Sequence, residues 1–159
     1  MSTGASARPS RWCSDVRGFA IAIACAFLVS PCIAFSEEWS IIVHPGREER
    51  FDLSDVAQIY LKQRRYWKDG SAIVPVNRSA DSAARDAFAR AVLDAEPRSL
   101  VAYWNRQYFQ GILPPITLAS DEAVLRFVAT EPRAMGYVPS SFVDDTVRTV
   151  VRFRWPPSL

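Results

Sequence analysis

The chain has 159 residues, 49% of them hydrophobic and 23% charged, with a net charge of +2 and a single histidine. The positive balance sits in residues 1–34, where Arg8, Arg11 and Arg17 face one acid, Asp15. The segment 35–159 holds 16 basic and 16 acidic residues, which leaves no electrostatic footprint for nucleic acid. All three cysteines (Cys13, Cys25, Cys32) fall within 1–34, so 35–159 has no disulfide framework, thiol nucleophile or thiolate metal site.

The first 34 residues read as a cleavable signal peptide. A basic n-region precedes the apolar run Gly18–Val29, Ser30-Pro31 breaks it, and Cys32-Ile33-Ala34 offers small residues for a signal peptidase. The apolar run is shorter than the ~20 residues a spanning helix needs. A lipoprotein signal fits less well, because Cys25 follows Ala22-Ile23-Ala24 and Cys32 follows Pro31. The expected protein is therefore periplasmic, with a leader over 1–34, one domain over 35–159 and no membrane span after cleavage.

Trp39–Val43 reads as a buried strand closed by the turn His44-Pro45-Gly46. Ser54 is a candidate N-cap, with Asp55 in the first turn of a helix reaching about Arg64. Asp69-Gly70 turns the chain into a strand over Ala72–Val76. Arg78–Asp81 leads to a second helix striped by Ala84, Ala87, Phe88, Ala91 and Val92, with Asp81 a candidate cap. Pro97 opens a third helix whose apolar face carries Leu100, Tyr103, Trp104 and Tyr108. A short strand over Ile116–Ala119 follows, then a helix capped by Ser120 with Val124, Phe127 and Val128 inward. Strands over Ala134–Val138 and Thr146–Arg154 close the chain, the last with one wetter face. The order β-α-β-α-α-β-α-β-β predicts an α/β fold: a three-layer α/β/α sandwich with a mainly parallel sheet.

The segments YLKQRRYWKDGSAIVPVNRSADSAARDAF, AYWNRQYFQGILPP and ATEPRAMGYVP resemble the phosphate-type periplasmic binding proteins, the solute-binding partners of ABC importers. The resemblance runs from about Ile41 to Val138 and covers one lobe, the second, of a two-lobed family. It implies an anion site in which Arg78, Ser79 and Ser82 take the places of the family's arginine, the serine after it and the loop serine. The ligand implied is phosphate or another small oxyanion, with no cofactor. The physical basis is the open amides and positive dipole end at a helix N-terminus, joined by a bidentate arginine. Two departures matter. The family has Gly and Thr where this chain has Ala83 and Ala84, so one hydroxyl donor is lost and the glycine geometry is harder to reach. Asp81 adds a negative charge beside the site.

Nothing in the sequence makes a catalytic or metal constellation. His44 stands alone. Glu37-Glu38 and Asp144-Asp145 lie in segments read as irregular, and no Gly-x-Ser-x-Gly elbow occurs. Lys62, Arg64 and Arg65 read as a solvated helix end. Trp67, Tyr103, Trp104, Tyr108 and Phe109 fit either a core or a binding face. Two readings stay open: a solute-binding module that closes its half-cleft by homodimerising or by docking on a transporter partner, and a ligand-free envelope interaction module.

Overall fold

The computed structural model describes residues 36–156; the expected leader and its cleavage point lie outside them. The elements follow the predicted order: β1 (Glu37–Val43), α1 (Leu53–Tyr60), β2 (Val74–Arg78), α2 (Ala83–Ala91), α3 (Pro97–Phe109), β3 (Ile116–Leu118), α4 (Asp121–Thr130), β4 (Ala134–Pro139) and β5 (Arg148–Trp155). The five strands form one sheet in the order β3-β2-β4-β1-β5.

The fold is α/β, and its sheet is mixed. β2 pairs in parallel with β3 and β4, whereas β1 pairs antiparallel with both β4 and β5. Four strands thus share one direction and β1 alone opposes them. The final strand pairs within the sheet and forms its edge. Glu38 on β1 holds Arg154 at 3.3 Å and Arg152 at 3.8 Å there.

Alternation along the strands splits the core into two layers. Trp39, Ile41 and Val43 of β1 and Met135 and Tyr137 of β4 face α1 and α2. Ile42, Ala134 and Val138 face α4, where they meet Val124 and Val128. The aromatic centre of the first layer is Phe88, stacked on Tyr137 at 4.2 Å and close to Tyr60 at 4.5 Å. The buried Tyr60 hydroxyl donates to the carbonyl of Val76 at 2.8 Å, and burial pushes its acidity far down. On the other layer Gly136 lets α4 approach the sheet: a Cβ there would lie 2.6 Å from Val124 Cγ1.

Several local expectations change. The cap of α1 is Asp52, not Ser54; Asp52 accepts from the Asp55 amide at 2.8 Å, and Asp55 accepts in return from the Asp52 amide. This reciprocal box satisfies two otherwise free amides. Ser82, not Asp81, occupies the cap position of α2. Glu37 and Glu38 begin β1 rather than an irregular segment. Trp67 belongs to the core, where its Nε1 donates to the Arg133 carbonyl at 3.1 Å and Arg47 lies 4.5 Å above its ring. No residue of α3 is buried: Tyr108 and Phe109 are 65% and 88% exposed, and Leu100, Tyr103 and Trp104 are only half-buried. The Tyr103 hydroxyl ties this helix to the carbonyl of Leu61 at 2.7 Å. No helix among the described residues is long and apolar enough to cross a membrane.

Candidate functional site

The end of β2 and the start of α2 bring the predicted residues onto one connection. Arg78 is the last residue of β2, Ser79–Asp81 turn, Ser82 caps α2, and Ala83 and Ala84 open it. The turn closes through the Ser82 amide, which donates to the Ser79 carbonyl at 3.0 Å. The Ser82 carbonyl accepts from Arg85 and Asp86, while its hydroxyl makes no capping bond. Among the described residues no backbone carbonyl accepts from the amides of Ala83 and Ala84. Ala83 is exposed and Ala84 buried, and both border a hollow of about 390 Å³ lined also by Glu37, Trp39, Arg90 and Trp155.

Arg78 has a structural partner that the sequence did not reveal. Its side chain is 11% exposed and reaches across β3 to the start of α4, where Nη1 pairs with the Asp121 carboxylate. Nη2 donates to the Ala119 carbonyl at 3.1 Å. Nε is buried and has no acceptor among the described residues. Asp121 is held by its own helix start, because Ser120 caps α4 by accepting from the Ala123 amide at 3.1 Å. The pair therefore bridges the end of β2 and the start of α4, with charges that offset each other and the Nε–H without an acceptor among the described residues.

Behind Arg78 lies a small polar network, also absent from the sequence reading. The Tyr137 hydroxyl donates to Asn77 Oδ1 at 2.6 Å, and the Arg78 amide donates to the same oxygen at 3.0 Å. Burial pushes the Tyr137 hydroxyl's pKa well up, so it acts here as a neutral donor. Asn77, Tyr137 and Asp121 are separated by tens of residues in the chain. Only the adjacency of β2 with β3 and β4 assembles them.

The other residues singled out from sequence do not join this site. His44 lies beyond the end of β1, where Nδ1 accepts from the Gly46 amide at 3.1 Å. In the basic cluster, Arg64 pairs with Asp55 at 3.0 Å and stacks over Phe51, while burial and the Arg65 charge lower the pKa of Lys62. Asp144 accepts from the amide and hydroxyl of Thr146. Among the described residues no three His, Cys, Asp or Glu side chains converge to hold a metal ion.

No family model and no curated protein matches the chain. Solved structures do. A putative phosphate ABC transporter substrate-binding protein from Clostridium perfringens, with bound phosphate, superposes with a TM-score of 0.60 at 22% identity. The chain has the fold of phosphate-type solute-binding proteins. An ABC-type phosphate transport receptor from Vibrio cholerae gives 0.59 at 17% identity, and a possible phosphate binding protein from Planctomyces limnophilus 0.54 at 12%. Each alignment covers 72% of this chain but only 44%, 46% and 41% of the respective partner. The chain thus spans less than half the length of these proteins, as one lobe does.

Proposed function

We propose that the chain is an exported, periplasmic solute-binding lobe, not an enzyme, that takes a small oxyanion such as phosphate at the β2–α2 connection. Arg78, Ser79, Ser82, Ala83 and Ala84 form the cradle. The observation that carries the reading is Arg78 itself: it stands at the end of β2, on the connection that leads to the open amides of α2, with a buried N–H that no group among the described residues accepts. A buried donor of this kind is costly to leave unmet, and an anion at a helix start would meet it. The fold neighbours, transport proteins for phosphate by their descriptions, support the same class.

The affinity expected is weak. Asp121 already offsets the Arg78 charge, and one lobe covers one side of a ligand where binding sites bury most of it. The test is a thermal-shift titration with phosphate, sulfate and chloride at fixed ionic strength. A saturable rise in Tm with phosphate supports the cradle, since ligand bound only to the folded state stabilises it by mass action. Ala84→Thr, which adds a hydroxyl at the start of α2, should enlarge the rise. No response to millimolar phosphate in either protein leaves the second reading, an envelope interaction module. That reading is favoured by Val101, Tyr108, Phe109 and Leu113, all more than half exposed. Export is tested separately by sequencing the N-terminus of the protein recovered from the periplasm, with Phe35 the expected first residue.

A further inference from the structure

A second hollow lies on the opposite flank of α2, between α2 and α3, and shares only Asp86 with the one beside Ala83 and Ala84. Its volume is about 350 Å³, within the range of about 300–1,000 Å³ in which small-molecule sites fall. It exists because α3 stands off the core: the helix buries none of its residues, and Leu100 and Trp104 reach only part-way to Phe88 and Leu93. The floor is therefore apolar and aromatic. Its polar lining comes from Asn77, Arg85, Asp86 and Asn105.

Arg85 is the informative member. Arg47, Arg64, Arg78, Arg90, Arg133, Arg152 and Arg154 each pair with a carboxylate among the described residues. Arg50, Arg65, Arg85, Arg98, Arg106, Arg126 and Arg148 do not, and of these only Arg85 lines the cavity; its one hydrogen bond is a long one, from Nη1 to the Arg78 carbonyl at 3.4 Å. Asp86 follows it in the helix and borders the hollow, yet no hydrogen bond or ion pair joins the two. A planar fork with free donors in the lining of a cavity that Phe88 and Trp104 also line matches a carboxylate geometrically.

We propose that the α2–α3 cavity is a binding site for a small monocarboxylate with an apolar or aromatic body, its carboxylate on Arg85 and its body between Phe88, Leu100 and Trp104. The site is distinct from the oxyanion cradle, since none of Arg78, Ser79, Ser82, Ala83 or Ala84 lines it, although Asn77 and Ala80 of the same connection do and Arg85 touches the Arg78 carbonyl. The probe pair is 3-phenylpropionate and its uncharged analogue 3-phenylpropanol, titrated into the full protein and followed by NMR at the Trp104 indole and the Arg85 side chain. The acid shifts both signals saturably and binds about tenfold or more tightly than the alcohol, the scale of one charge-assisted hydrogen bond. Arg85→Gln removes that preference and leaves the alcohol's affinity unchanged. Val101→Trp, at an exposed position on the rim, weakens both probes. No saturable shift with either probe overturns the proposal, as does equal binding of acid and alcohol, or a preference that survives Arg85→Gln. Displacement of the acid by inorganic phosphate would also overturn it, by merging the cavity with the cradle. A missing phosphate response leaves this result untouched.

Discussion

Helices α3 and α4 carry similar apolar stripes and end in different places. α4 buries Val124 and Val128 against β4, at a point where Gly136 removes the side chain that would hold the helix away. α3 has thirteen residues, buries none of them, and leaves a cavity beneath it. The contrast shows that an apolar stripe sets which residues share a face, whereas depth of packing depends on what the opposing surface allows. The sheet side of the molecule is built to be closed. The α3 side is built open, with the cavity between α2 and α3 left beneath it.

Substitutions can break or sharpen this contrast. The largest effect is expected from Phe88→Ala, which empties the aromatic centre shared by Tyr60 and Tyr137; it should lower stability by about 3–5 kcal/mol in urea unfolding. Gly136→Ala comes next. Its new Cβ meets Val124 Cγ1 at 2.6 Å and Val128 Cγ2 at 3.0 Å, so a loss of about 1–3 kcal/mol is expected from overpacking. A cost near zero would mean that α4 can stand off the sheet as α3 does.

Acid should act more gently, at the surface. Hydrogen bonds from Ser71, aided by Arg47, hold the Asp69 carboxyl down to about 2, and hydrogen bonds from Arg133 do the same for Glu131. Both values are depressed on folding from ordinary ones of 3.8 and 4.5. Their contribution is therefore present above the ordinary values and lost as pH falls toward 2. Urea midpoints should decline over that window, and less so in Asp69→Asn. High salt should blunt the effect, because both groups are exposed to solvent. The smallest change is expected from Phe109→Ser on α3, within about 0.5 kcal/mol of the parent. A large loss there would show that the exposed aromatics pack against something in solution.

The order of elements was legible because each turns on a local signal. Pro97 starts a helix, Ser120 caps one, Asp69-Gly70 turns the chain, and short apolar runs mark the buried strands. The reversed direction of β1 was not legible, since alternation within a strand does not say how it meets its neighbours. The α1 cap was misplaced by two residues because Asp52 and Ser54 both suit a cap, and only the return bond from Asp55 distinguishes them. At the candidate site, Arg78 and Ser82 could be named from resemblance. Asp121 could not, because its pairing with Arg78 depends on β3 lying beside β2. The stripe Leu100, Tyr103, Trp104 and Tyr108 was legible as one face of a helix, but not the depth at which that face sits, because depth depends on the surface opposite.

The two margins of the sheet carry a consequence for life at high concentration. The five-stranded sheet has two edge strands, β3 and β5, and exposed edges recruit other chains. Here β5 sets Arg152 and Arg154 along one margin, tethered by Glu38, while β3 at the other is only three residues long and follows Pro114-Pro115. Charge on one side and brevity on the other discourage edge-to-edge growth. The sheet is thereby equipped to resist fibrillation, whatever the protein binds.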